Sequence, residues 1–269
     1  MAHFKIYPTA YYNYKKHRKA KYKEHKNRIK KDIEDIYHAH NGVPGYRMMQ
    51  AYLDRKGEHI SSTTVHKYMN TEMGLRSIVR RKKPGYKHGM PHKVFPNIIN
   101  QDFTADKINS KWCTDFTYLF LDGGQTRYNC TIIDLHDRSV VASITDRNIT
   151  SDLAIRTLKK ALDSQPKIRG KLILHSDQGS QFTSKEFTEY CESVNVTQSM
   201  SKAGYPYDNA PMERYFNTLK NELIYSRNYK NEKELYDAID NFAYVTYNHE
   251  RPHTYDNGRT PFEARYNAA

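Results

Sequence analysis

A chain of 269 residues can bury a full core in one or two domains, and 43 Lys+Arg against 30 Asp+Glu leave it a formal +13 at pH 7. The charge is uneven: residues 1–100 carry 22 Lys+Arg and 7 Asp+Glu, and the rest carry 21 and 23, so a basic module precedes a nearly neutral one and nucleic acid is the first partner to expect. The three cysteines, Cys113, Cys130 and Cys191, form no CxxC pair and indicate neither a zinc site nor a disulfide framework. No run reaches the ~20 apolar residues of a membrane span, and Met1 to Pro8 lacks the apolar core of a signal peptide. The expectation is a cytoplasmic chain with buried, reduced thiols and no membrane partner.

From 13 to 40 the chain is rich in Lys, His and Arg. Ile29, Ile33, Ile36 and Tyr37 recur at the spacing of one helical face, which predicts a basic amphipathic helix in an arm over 1–40. Two shorter helices follow. Pro44-Gly45-Tyr46-Arg47 opens one that runs to about Lys56, with Tyr46, Met49 and Leu53 on one face and Gly57 as its C-terminal stop. Ser61 or Ser62 caps the next, which runs to about Met73 with Val65, Tyr68 and Met69 inward. Two helices around a short Gly-containing turn fit a helix-turn-helix over 41–75. Thr63, Thr64, Lys67 and Asn70 are then expected to lie exposed on its second helix, where base and phosphate contacts arise. Residues 76–104 read as a basic linker, and its Arg80, Arg81, Lys82 and Lys83 suit a phosphate backbone.

Beyond about 105 the pattern changes. Trp112–Leu121, Tyr128–Leu135 and Val140–Ile149 are strand-like, with Asp122-Gly123-Gly124-Gln125 as the first turn, and make an antiparallel meander. Ser151 is expected to cap a helix over Asp152–Leu162. Lys171–His175 is a fourth strand, entered from a helix and so parallel to the first. A helix over Lys185–Ser193, a fifth strand over Val196–Ser199 and a helix over Ala210–Leu223 complete the order βββαβαβα, and a further helix over Glu232–Tyr247 follows. That order predicts an α/β fold, a five-stranded mixed sheet flanked by helices on both faces.

Three carboxylates stand out in this layout. Asp115 lies in the middle of an aromatic and β-branched strand, where an unpaired carboxylate is costly. Asp177 directly follows the fourth strand, and Glu213 lies in the first turns of a helix with Asn217 and Lys220 on the same face. If the first and fourth strands are neighbours, all three reach one edge of the sheet. Such a set of hard oxygen donors suits Mg²⁺ or Mn²⁺, and two ions ~3.5–4 Å apart serve phosphodiester cleavage and transesterification. Lys220 and Asn217 would then look toward DNA phosphate. His175 reads as a structural histidine, Asp134 and Asp208 are the competing carboxylates, and Asp208-Asn209 reads as a turn and helix cap.

The stretches WCTDFTYL, HSDQGSQFTS and YDNAPMERYFNTLKNEL, followed by YNHERPHTYDNGRTPFEA, resemble the catalytic frame of the bacterial insertion-sequence transposases of family three. More distantly they resemble retroviral integrases. Thirty-five residues separate Asp177 from Glu213, and Lys220 follows seven later, which matches the Asp-Asp-Glu signature of that group. The resemblance covers 105–266 strongly, and 41–83 as the helix-turn-helix segment that precedes the catalytic domain.

The resemblance implies an RNase H-like fold over 105–269, with Asp115, Asp177 and Glu213 as catalytic ligands of two Mg²⁺ or Mn²⁺ ions. It implies Lys220 as a contact to end DNA, and cleavage followed by strand transfer of insertion-sequence ends into double-stranded target DNA. The His/Cys zinc domain of retroviral integrases has no counterpart, so no zinc is expected. A homodimer that pairs two ends is implied, in a nucleoid-associated bacterial protein. The upstream helix-turn-helix and leucine zipper of the group have no counterpart either, so a fused or assisting upstream-frame protein is the further partner implied. The competing expectations are a catalytically silent DNA-binding regulator and an RNase H-type nuclease.

Overall fold

The computed structural model describes residues 8–78, 93–165, 168, 170–202 and 206–266. These fall into two compact units, one ending at 78 and one beginning at 93.

The first unit is helical: α1 (Pro8–Lys15), α2 (Arg18–Ala39), α3 (Tyr46–Arg55) and α4 (Ser62–His66), the last continuing as a wide-turn π segment, Lys67–Glu72. The apolar spacing read in the sequence closes a core here. Ile29, Ile33 and Ile36 pack with Met49, Leu53, Val65, Tyr68 and Met69. Gly57 ends α3 at φ 81, a conformation open to glycine at no steric cost. The Ser61 hydroxyl accepts from the Thr64 amide at 3.3 Å, which makes Ser61 the cap of α4.

The second unit holds one five-stranded sheet, built from β1 (Lys111–Phe120), β2 (Thr126–Asp134), β3 (Val140–Asp146), β4 (Leu172–Ser176) and β5 (Val196–Met200). The strand order is β3-β2-β1-β4-β5. Antiparallel pairs join β1 to β2 and β2 to β3, and parallel pairs join β1 to β4 and β4 to β5. The mixed sheet is the one the element order requires. Successive β1 residues point to opposite faces. Trp112 enters a core with Ile132, Leu153, Leu158, Leu174 and Phe187, while Cys113 enters another with Leu119, Ile133, Met212, Tyr215 and Leu235. Helices α5 (Ser151–Ser164) and α6 (Lys185–Ser193) serve the first core, and α7 (Ala210–Glu222) and α8 (Glu232–Asn241) the second.

Some local expectations change. The cap of α5 is Thr150, whose hydroxyl accepts from the Leu153 amide at 3.2 Å, and Ser151 is the first helical residue. Strand β3 stops at Asp146, where the carboxylate accepts from the Arg147 amide. The last long helix gives way at Phe242 to a π segment, Phe242–Glu250, before α9 (Pro261–Tyr266). Arg265 on α9 anchors the end of the unit, its guanidinium donating to Asp134 at 3.0 Å and to Asp137 at 2.6 Å. Asp134 is therefore the acid of a buried structural ion pair. The three cysteines are buried free thiols. Among the described residues no helix is long and apolar enough to cross a membrane.

Candidate active site

The parallel register pairs Cys113 on β1 with His175 on β4. Carried two residues further, it brings Asp115 level with Asp177, just past the end of β4. Asp115 is half-buried and accepts from the Phe116 amide at 2.7 Å. Asp177 accepts from the Gly179 amide at 2.9 Å. A β-carbon at Gly179 would stand 2.9 Å from that same carboxylate oxygen, so glycine is what lets the carboxylate sit there. Glu213 comes from the first turn of α7. Met212, Tyr215, Phe216 and Leu219 are the buried side of that helix, which leaves Glu213 and Asn217 exposed and Lys220 half-buried.

Electrostatics tie these groups together. Burial holds the Asp115 carboxyl well above the usual carboxylate range, and the Asp177 charge adds to this. The Phe116 hydrogen bond opposes it, Glu213 pushes up again, and the weakest influence is the opposing charge of Lys220. Asp177 is raised too, by burial, against the Gly179 hydrogen bond. Among the described residues no three His, Cys, Asp or Glu side chains are already drawn into a metal-holding group. The donor chemistry nevertheless fits a hard divalent cation. The two charges that raise Asp115 are both carboxylates, and like charges so placed favour the binding of a cation or a proton. His175 is no part of this donor set, because Nε2 is 2.8 Å from the Asp208 carbonyl and Nδ1 is 2.9 Å from the Ser199 hydroxyl.

The expected DNA contacts of the first unit are divided. Thr63 and Lys67 are exposed. Thr64 is half-buried, and its hydroxyl lies 2.9 Å from that of Ser61 within the cap. Asn70 is half-buried as well, with a buried side-chain oxygen that has no hydrogen-bond partner among the described residues. It lies in the π segment, whose wider turn rotates residues away from the positions of an ideal α-helix. Arg80, Arg81, Lys82 and Lys83 lie outside the described residues. Asn209 makes no side-chain cap bond to α7; it donates to the Thr114 carbonyl at 3.3 Å instead. Two residues that the sequence reading passed over, Asn97 and Gln101, hydrogen-bond the Asp208 carboxylate. They lie in the stretch read as linker, where no periodicity marks them.

Residues 105–206 match the family described as integrase core domain, 194–261 match a second family of the same description, and 24–83 match the HTH-like domain. The chain is 32% identical to the transposase for insertion sequence element IS904 of Lactococcus lactis subsp. lactis (strain IL1403), across 84% of this chain and 88% of that protein. It is 34% identical to transposase InsF for insertion sequence IS3A of Escherichia coli (strain K12), across 70% and 65%. In fold it is similar to a chain of the simian T-cell lymphotropic virus intasome solved with the PP2A regulatory subunit B56 gamma. The TM-score is 0.50 at 19% identity, over 87% of this chain and 74% of that one.

Proposed function

Since the chain belongs to the insertion-sequence transposases of family three, we propose that Asp115, Asp177 and Glu213 are its catalytic carboxylates and hold two Mg²⁺ or Mn²⁺ ions. The observation that carries this is the parallel register that sets Asp115 on β1 level with Asp177 at the end of β4, with Glu213 on α7 near enough for its charge to act on Asp115. Two divalent cations bound there supply activation of the attacking oxygen and stabilisation of the leaving one. Asp115 and Asp177 offer oxygen donors from neighbouring parallel strands, so their spacing is set by the sheet. Glu213 closes the set from an exposed helical position. Lys220, two turns further along α7, attracts a phosphate of end DNA, and Asn217 supplies polar groups beside it.

In this reading the first unit grips double-stranded DNA through the exposed Thr63 and Lys67, and Arg80 to Lys83 contact the phosphate backbone. The helix-turn-helix reading belongs to the first unit, with the basic arm packed into its core, and the RNase H-like reading to the second, which takes in residues 93–104 of the stretch read as linker. Pairing of two element ends calls for a homodimer, assisted by or fused with an upstream-frame protein, working at the nucleoid. The reaction is cleavage of element ends and their transfer to target DNA. Labelled DNA carrying the element's ends tests it, with Mg²⁺ or Mn²⁺. Metal-dependent cleaved and joined products are expected from the protein and not from Glu213→Gln. Equal products from both would sink the assignment.

A further inference from the structure

The entry to α7 is tied down by a closed set of polar contacts around one buried side chain, Asp208, which is 2% exposed. One carboxylate oxygen accepts from the Asn97 amide group at 3.0 Å and from the Lys202 backbone N–H at 2.9 Å. The other accepts from the Gln101 amide group at 2.6 Å. The backbone carbonyl of Asp208 lies 2.8 Å from His175 Nε2. A carbonyl only accepts, so Nε2 carries the proton, and in the neutral ring Nδ1 accepts from the Ser199 hydroxyl at 2.9 Å. Ser199 in turn accepts from the backbone N–H groups of Ile98, at 2.9 Å, and Ile99. The next residue, Asn209, donates to the Thr114 carbonyl beside Asp115.

These contacts join five pieces of chain: segment 97–101, the middle of β1, the end of β4, the end of β5, and the turn that begins α7. His175 is two residues from Asp177, Asn209 holds the backbone next to Asp115, and Asp208 is five residues ahead of Glu213. Each carboxylate is thus one short stretch of backbone from the same buried network. Glu213 has the greatest need of it, because it stands exposed on α7 while Asp115 and Asp177 are held by the sheet.

We propose that Asp208 is the positioning residue of the carboxylate site, and that Asn97 and Gln101 act through it to hold the start of α7, and so Glu213, against β1 and β4. The proposal rests on the metal-site reading above. It gives segment 97–101 a role that a linker would not have: the placement of Glu213 is set in part by residues more than a hundred positions earlier in sequence. Losing a partner of this outer kind costs about 10–100-fold in metal affinity at other sites.

The test is Mn²⁺ affinity by titration calorimetry on the full-length protein, with the melting temperature of every variant recorded. Asp208→Ala is expected to weaken Mn²⁺ binding about tenfold or more. Asp208→Asn should stay within about threefold of the wild type, because the Gln101 amide can turn round and accept from the new NH₂ while the remaining oxygen keeps Asn97 and Lys202. Gln101→Leu removes one donor and should give a smaller loss, about threefold; it also serves if Asp208→Ala does not fold. A lowered melting temperature with unchanged Mn²⁺ affinity in the Ala and Leu variants would overturn the proposal and leave the metal site standing. A wild-type protein that binds no Mn²⁺ would overturn both together.

Discussion

The second unit holds two pairs of aspartates, one fully buried and one half-buried, and they are resolved in opposite ways. Asp134 and Asp137 are fully buried, and Arg265 lies between them with its guanidinium on both carboxylates. Ser139, Asn109 and Gln165 complete the donors and acceptors around that guanidinium. Asp115 and Asp177 are each met by a backbone amide, and the charge that acts most on Asp115 is the like charge of Asp177. The first pair carries its own cation and clasps α9 to the β2–β3 turn. In the second, repulsion is left standing, which is costly in a site with no function and useful in one that binds a cation.

The sharpest way to break this contrast is to neutralise one member of the open pair. Asp177→Asn should lower metal-dependent DNA cleavage by more than the ~10–100-fold typical of an outer-shell loss. It should leave the metal-free protein as stable as the wild type or more so, since a like charge has gone. In the wild type, Mg²⁺ at a hundred times its Kd should add about 2.7 kcal/mol, or about 5–10 °C in melting temperature for a unit of this size. The variant should lose most of that shift. A full Mg²⁺ shift in Asp177→Asn would mean that the ion binds elsewhere.

The closed pair should respond oppositely. Arg265→Leu strands two buried carboxylates and is expected to cost about 3–5 kcal/mol in denaturant unfolding, with metal affinity retained if the protein is kept folded. A loss under about 1 kcal/mol would show that the clasp is dispensable.

A third buried carboxylate lies beside the clasp. Burial, and then the charge of Asp137, push Asp256 up to about 7. Its folded value lies above its unfolded value, so the folded state binds more protons between about pH 4 and 7, and stability falls as pH rises through that window. At 1.36 kcal/mol per unit, about 2 kcal/mol is expected to disappear between pH 5 and 7. Asp256→Asn should flatten that slope, and an unchanged slope would place its origin in another group.

The smallest effect is steric. Gly179→Ala puts a methyl group 2.9 Å from the Asp177 oxygen and should move that carboxylate. Cleavage should fall about tenfold, with stability within about 1 kcal/mol of the wild type. Equal activity would mean that the carboxylate can shift at no cost to the chemistry.

How much of this could be read beforehand follows from how local each feature is. The strands, the amphipathic face of Ile29, Ile33 and Ile36, and the left-handed stop at Gly57 were legible because side-chain period and glycine chemistry act over a few residues. The parallel direction of β4 followed from element order, while its place beside β1, and with it the nearness of Asp115 and Asp177, was a condition that the strand pairing meets. The α-to-π change at Lys67 and at Phe242 was not legible, since the same residues suit either turn and tertiary packing selects between them. Thr150 and Ser151 are adjacent and both can cap a helix, and which one serves depends on where β3 delivers the chain.

The sequence by itself determined the element order, the mixed sheet, the basic first third and the three spaced carboxylates, because periodicity, charge and turn chemistry are properties of short stretches. Only the tertiary structure decided which buried aspartates were to be paired. Arg265 reaches Asp134 across 131 residues, and Asn97 reaches Asp208 across 111. Contacts of that range leave no periodic trace, since a hydrogen bond or an ion pair needs only two side chains brought together, and bringing them together is the work of the whole fold.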